Sequence, residues 1–415
     1  MKTSIKPVAL TGVTASVVTA LSQEWKEPAW ALDLRLQALK NYDALPFPTQ
    51  NDVKWKRADL DKLDWKAIQM APAFATGAAL EISEELRERG VVWLSLEEAL
   101  KSEAERVRSV WQDAITRAHE NKFLSLTLAL ANGGGVLVVP KGVVVKTPLY
   151  LPLQWNGLAG AKFPVNFIFV EEAGEAHVWE ELETAIQTSS SSFVSSYSVM
   201  ELKENAKGSC TYLQHWDDRT WHFQFQDVVQ GAFSKFNAVA VSIGGRVFHN
   251  EATLHLKGQG AENKVLGVNF GDGDQNFENW ITQRHTAIKT TSDIQYRGAL
   301  KGSAHSFFSG LVSITKEAQQ SDAFQSAKSL LLSTEARADA IPNLEILADD
   351  VKCSHGAAVG PVDEDQKFYL QTRGISPSEA EEIIVQGFVE PVIAEVPSTA
   401  AQEKLRNFIE EKIKK

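Results

Sequence analysis

Cysteine is nearly absent: Cys210 and Cys353 are the only two in 415 residues. A disulfide-stapled secreted scaffold is therefore excluded, and the chain fits a reducing compartment, with the cytoplasm as the expected location. Long apolar runs are missing as well. No stretch approaches the ~20 apolar residues that a membrane-spanning helix requires, so no membrane partner is expected. Near the start, Lys2 and Lys6 precede VALTGVTASVVTAL, a faint outline of a signal peptide. Thr11, Gly12, Thr14, Ser16 and Thr19 dilute it, and it reads as a helix with Val8, Val13, Val17 and Leu21 on one side. Positive charge is also scarce. The formal net charge is −11 and no basic stripe is visible, so nucleic acid is not an expected partner. No Walker motif and no G-x-G-x-x-G occurs, which leaves the chain without a recognisable ATP or dinucleotide site.

What is present divides into three parts: a helical region over 1–128, a β core over 129–362 and a second helical region over 363–415. In the first, Pro28 stands near a helix start, where its missing N–H costs nothing, and Leu32, Leu36 and Leu39 follow at helical spacing. Pro46 and Pro48 end that segment. Two further helices are expected between Ser83 and Ala131, the second covering RSVWQDAITRAHENKFLSLTLALA.

At ANGGGVLVVPKGVVV the period changes from helical to β-branched runs. Short strands then arrive every ten or so residues, without a clean repeat. Even the serine-rich TSSSSFVSSYSVM carries Phe193, Val194, Tyr197, Val199 and Met200 and reads as a strand rather than a linker. Such a block is either a sandwich or barrel, or a solenoid of stacked coils with open edges that need a cap or a partner. Helix returns at Ser376, where Pro377 and Glu379 complete a capping box. Ala380, Ile383, Ile384 and Phe388 form its apolar stripe, and Leu405, Phe408, Ile409 and Ile413 that of a last helix. Ile383, Ile384, Phe388, Leu405 and Phe408 are candidates for docking another protein.

One short stretch concentrates the chemistry: ADDVKCSHGA, Ala348 to Ala357. In an extended strand, Asp349, Val351, Cys353 and His355 face one way and Asp350, Lys352 and Ser354 the other. Cys353 and His355 then stand about 6.6 Å apart along the strand, close enough to converge on one metal ion or cluster. The alternative is a half-buried cysteine beside a surface histidine. His215, His222, His249, His255 and His305 read as structural, and Cys210 as core.

The motifs AQQSDAFQ, KSLLLS, PNLEILADDVKCSHGA and FYLQTRGI, with EPAW and LPFP near the start, resemble the SufB/SufD family of iron–sulfur cluster assembly proteins across nearly the whole chain. Within that family the Cys-Ser-His-Gly order resembles the SufD branch; SufB members share a Cys-Gly-Ala-His form, often with a further cysteine cluster. The resemblance implies a mainly β fold, a right-handed parallel β-helix flanked by N-terminal and C-terminal α-helical regions. It also implies a non-catalytic scaffold that pairs with a SufB-like protein and binds a SufC-like ATPase through the C-terminal helices, in a SufBC2D complex. A transient iron–sulfur cluster would form where the two scaffolds meet, and a reduced flavin is associated with such complexes. Carried onto this sequence, His355 would be the cluster ligand across the interface, with Cys353 as a second ligand or an interface residue. Asp349 and Asp350 would orient His355 or cap a turn. Some positions depart from the family pattern: His305 precedes FFSG where an arginine is usual, and Ala358 stands where threonine usually follows Ser-His-Gly-Ala. Three other readings stay open. These are a stand-alone cysteine-dependent hydrolase using Cys353 and His355, a carbohydrate-active β-helix enzyme, and a purely structural partner that supplies no ligand.

Overall fold

A computed structural model of the protein describes residues 10–70, 82–155, 160–184 and 190–414. The N-terminal region holds helices α1 (Ala15–Glu24), α2 (Ala29–Ala44), α3 (Glu84–Glu88), α4 (Leu96–Ser102), α5 (Ala104–Ala118) and α6 (Lys122–Leu130), with strand β1 (Val92–Ser95) between α3 and α4. Pro28 is the N-cap of α2, its ring fixing φ at −65°. The stretch from Arg108 to Ala131, expected as one helix, is two. Asn121 accepts a hydrogen bond from the Leu124 N–H at 3.0 Å and starts a new helix there. Between Ser83 and Ala131 the expected pair of helices is thus four helices and a strand. In the N-terminal helix Val17 and Leu21 lie within α1, while Val8 is outside the described residues.

From Gly133 the chain winds into a parallel β-solenoid. Its strands are β2 (Gly133–Val139), β3 (Leu149–Trp155), β4 (Ala161–Lys162), β5 (Pro164–Val170), β6 (Glu175–Thr184), β7 (Ser192–Leu202), β8 (Lys207–His215) and β9 (Thr220–Gln230). Then come β10 (Lys235–Ser242), β11 (Val247–Leu256), β12 (Glu262–Gly271), β13 (Asn276–His285), β14 (Thr291–Leu300), β15 (His305–Ile314), β16 (Ser321–Leu331), β17 (Arg337–Ile346) and β18 (Val351–Pro361). One sheet runs β1-β2-β5-β7-β9-β11-β13-β15-β17, with β4 on β7; the other runs β3-β6-β8-β10-β12-β14-β16-β18. All pairs are parallel except β1 on β2, which is antiparallel.

The coils stay in register through a ladder of left-handed corners. Ala173, Asn205, Phe233, Gly260, Lys289 and Gln320 all have φ between 54° and 67°. Each donates its N–H to a carbonyl one coil further on, from Ala173 to Glu204 at 2.9 Å through to Gln320 to Asp350 at 2.6 Å. Five of the six are not glycine, so each of those five corners carries roughly 1–2 kcal/mol of backbone strain that the stacked hydrogen bonds and packing must offset.

Strand alternation sends one set of side chains inward and the other outward. Ala238, Val265 and Ile294 belong to the interior cluster. Their neighbours Val239, Val241, Leu266 and Val268 pack outward against two C-terminal helices. These are α8 (Pro377–Ile393) and α9 (Thr399–Lys414), which follow α7 (Glu364–Thr372). On the opposite sheet, Phe167, Phe193 and Phe223 pack with Trp111 and Phe123 of the N-terminal helices. Both faces of the middle strands are therefore buried, which is why they read as short continuous apolar runs.

The capping box at Ser376 and Glu379 is present, with both reciprocal hydrogen bonds. The packing face of α8 is shifted from the expected stripe. Val385, Val389, Val392 and Ile393 carry it along with Ala380, and Ile383 is left 45% exposed.

Candidate functional site

The two ends of the solenoid differ. The first coil is closed by α4, β1 and the helices behind them. Among the described residues, β17 at the last coil pairs only with β15 and β18 only with β16, so both strands keep one unpaired edge. An edge of that kind presents a row of backbone N–H and C=O groups without partners in the sheet. Pro361, which has no N–H to give, ends β18, and Asp363 then caps α7 through the Asp365 and Gln366 N–H groups. Apolar side chains are exposed around this end: Phe324, Ile341, Ile346, Leu347 and Val359.

Cys353 and His355 both lie on this terminal strand. In register, Cys353 sits over Ala323 and His355 over Gln325 of the preceding coil. Val351 and Cys353 are half-buried against Val312, Ile314, Ala318 and Ala323. His355 is exposed, because no further coil covers it. Below it, Gln325 is fully buried; its Nε2 donates to the Asn343 carbonyl at 2.9 Å, while its Oε1 has no hydrogen-bond partner. Partial burial, then the Asp322 charge, push the Cys353 thiol up, against a hydrogen bond to the Ala323 backbone. The resting group is a thiol, not an activated nucleophile. Among the described residues the His355 ring makes no hydrogen bond or ion pair, so the chain alone contains no thiol–imidazole pair.

Asp349 does not share the Cys353 face as expected. The strand begins at Val351, and Asp349 and Asp350 form the exposed corner before it. Asp350 is held by its backbone, its N–H donating to Gln319 Oε1 at 2.9 Å and its carbonyl accepting from the Gln320 N–H. Neither carboxylate has a hydrogen bond to His355. Of the docking candidates, Ile383 is exposed, Ile384 and Phe388 are half-buried, and Leu405 is fully buried in the chain's own core. Phe408 is half-buried and packs against the His215 ring at 4.6 Å. Sequence reasoning missed Phe368 and Tyr369 of α7, which are 66% and 58% exposed beside α8. The FYLQTRGI motif held that signal, two adjacent aromatics in a helix otherwise polar but for Leu370.

The remaining histidines all have a hydrogen-bond partner, and His177, His222, His249 and His285 are buried. His222 accepts from Trp216 Nε1 at 3.2 Å and meets Ser196 Oγ at 2.9 Å; burial pushes it down to about 3. His255 meets Asp227 at 3.2 Å, and His305 meets Asp339 at 3.0 Å. His215 is different, lying 3.2 Å from carboxylate oxygens of both Glu181 and Glu183. Burial alone would raise the Glu181 carboxyl, but hydrogen bonds from His215, Lys404 and Tyr150 hold it down at about 2. Cys210 is buried, and its thiol is pushed up by that burial, as a core cysteine should be.

Comparison with known proteins agrees with this architecture. Residues 154–388 match the family described as "SUF system FeS cluster assembly, SufBD core domain". The chain is 28% identical over 434 residues to the iron–sulfur cluster assembly protein SufD of Bacillus subtilis, covering 97% of this chain and 98% of that protein. It is 27% identical over 431 residues to SufB of the same organism, covering 95% and 92%. A SufBD family protein of Staphylococcus epidermidis is 27% identical, with 95% and 92% covered. A parallel β-solenoid flanked by helices, a core match over more than half of the chain and full-length similarity to both paralogues lead to one conclusion: the chain belongs to the SufB/SufD family of iron–sulfur cluster assembly proteins.

Proposed function

We propose that this chain is the SufD-type scaffold subunit of an iron–sulfur cluster assembly complex, pairing with a SufB-type protein and docking a SufC-type ATPase, without catalysis of its own. The observation that carries this reading is the uncapped last coil with His355 exposed on its edge strand. Adding a partner's terminal strand to β18 or β17 would satisfy the unpaired backbone groups and bury the apolar rim formed by Phe324, Ile341 and Val359. The same event would enclose His355 between two chains, where sulfur ligands from the partner can complete a site. Neutral imidazole suits iron, and a histidine among thiolates modulates the cluster that is the complex's cargo. The thiol of Cys353 can join only by losing its proton to the metal. The Cys-Ser-His-Gly order at 353–356 supports a SufD-type over a SufB-type assignment.

Phe368, Tyr369 and Ile383 leave an apolar face on α7 and α8 for the ATPase, while Leu405 anchors α9 to the solenoid. A reduced flavin is a further component that the family resemblance implies for such a complex. A groove of about 670 Å³ beside β8 and β10 is lined by four lysines, Glu175, Glu395, aliphatic side chains and His177.

The test is association of the purified chain with SufB-type and SufC-type proteins under anaerobic conditions, followed by sedimentation. A one-to-one pairing with the SufB-type protein is expected. Val359→Lys should weaken it at least tenfold, about 1.4 kcal/mol, while changing stability by no more than about 0.5 kcal/mol, since Val359 is exposed. A chain that forms no complex with any SufB-type protein would sink the proposal.

A further inference from the structure

A second group of ligating side chains lies away from the open end, on the outer face of the sheet that carries α9. Glu181 and Glu183 are two residues apart on β6 and share that face; His215 sits one coil on, the register partner of Glu183. The ligating atoms of these three residues all lie within 4.8 Å of one another. His215 Nε2 is 3.2 Å from Glu181 Oε1 and 3.2 Å from Glu183 Oε2. Separations of that order are what a first-row metal imposes on its nitrogen and oxygen ligands, which it binds at roughly 2.0–2.2 Å. The strand backbones and the Phe408 ring, tilted against the imidazole, hold the group in place, so little ordering remains for an ion to impose.

We propose that Glu181, Glu183 and His215 form a binding site for a divalent first-row metal ion, distinct from the Cys353–His355 edge. One imidazole and two carboxylates make a mixed donor set of borderline hardness, suited to Fe²⁺, Mn²⁺ or Zn²⁺ rather than to Cu⁺ or Ca²⁺. A cavity of about 240 Å³ opens beside His215, lined by Asp217, Asp218, Glu411 and Lys412 among others. It gives an ion a route from solvent and room for the waters that complete its coordination. The resident cation is Lys404 of α9, whose ammonium lies 2.5 and 2.7 Å from the two oxygens of Glu181; Tyr150 Oη donates to the same carboxylate at 2.8 Å. A metal therefore competes with the α9 lysine for Glu181, and binding displaces the Lys404 ammonium from that carboxylate. Because Lys404 stands on α9, which packs on the solenoid, metal occupancy and α9 attachment are coupled.

The experiment uses the untagged full chain carrying Cys353→Ser and His355→Ala, so that the open end cannot hold the ion. Zn²⁺ is titrated against a chromogenic chelator, and Co²⁺ is followed by its visible ligand-field absorption. One equivalent is expected to bind. His215→Ala and Glu183→Gln should each weaken it at least tenfold and abolish the cobalt spectrum, while Lys404→Met should tighten it. Glu183 is a partly exposed side chain, so its variant folds even if the histidine variant does not. Unchanged affinity in Glu183→Gln, or no tightening in Lys404→Met, overturns the proposal.

Discussion

The closed end of the solenoid depends on one buried ion pair, and breaking it gives a sharp prediction. Arg35 and Glu27 are both fully buried at the side chain. The guanidinium donates from Nη2 to Glu27 Oε1 at 2.6 Å and from Nε to Oε2 at 2.9 Å, and Nη1 donates to the Ala129 carbonyl at 3.1 Å. It also lies 5.5 Å from the Trp25 ring and 5.3 Å from the Trp111 ring. Arg35 thus joins α2 to the end of α6 and to α5. Arg35→Met fills much of the volume but leaves a carboxylate in an apolar enclosure. Breaking a buried pair in this way costs roughly 3–5 kcal/mol, a large part of the 5–15 kcal/mol that separates a folded domain from its unfolded chain. Removing both charges with Glu27→Gln and Arg35→Met eliminates the unpaired ion. The double variant should therefore be more stable than Arg35→Met alone, by at least about 1.5 kcal/mol. Urea denaturation followed by tryptophan fluorescence reads this directly, since Trp25 and Trp111 flank the pair. A single variant within 1 kcal/mol of the parent, or a double variant no better than the single, would refute the reasoning.

Two further outcomes follow from buried groups. Burial holds His222 at about 3, below its ordinary 6.5, so the unfolded chain takes up that proton first. Its contribution is complete above pH 6.5 and is lost as pH falls towards 3, at roughly 1.4 kcal/mol per pH unit. The stability difference between the parent and His222→Gln should shrink by about 2.3 kcal/mol from pH 6.5 to 4.5; a pH-independent difference would contradict the neutral, buried imidazole. At pH 7, Cys353 should react with iodoacetamide no faster than a free thiol, and Cys210 only after denaturation. A rate well above that of free cysteine at Cys353 would instead favour the nucleophile reading.

Much of the fold could be read from the sequence because the stacked strands carry their own signal. Short β-branched runs such as VLVVP, followed by Gly142 at a turn, mark coils whose two faces are both buried. The coil repeat itself was hidden. Its corners need only a left-handed backbone, and Ala173, Asn205, Phe233, Gly260, Lys289 and Gln320 supply it without a common side chain. Helix breaks were lost for a similar reason: the Asn121 cap interrupts an apolar pattern that continues on both sides. At the candidate site, alternation correctly put Cys353 and His355 on one face. Whether that face is covered or left open depends on the number of coils beyond it, which no local pattern encodes. The Glu181-x-Glu183 pair was visible in EELE, but its meeting with His215 depends on register between coils, and Lys404 arrives from the far end of the chain.

The central claim is that His355, exposed at the open end, serves a cluster shared with a partner. The most direct test is anaerobic cluster assembly on the complex of this chain with SufB-type and SufC-type proteins, measuring iron and sulfide per complex for the parent and His355→Ala. The account predicts the same complex in both cases, with roughly tenfold less iron retained by the variant. Equal iron and sulfide in the two complexes would contradict it and leave this chain a structural partner that contributes no ligand.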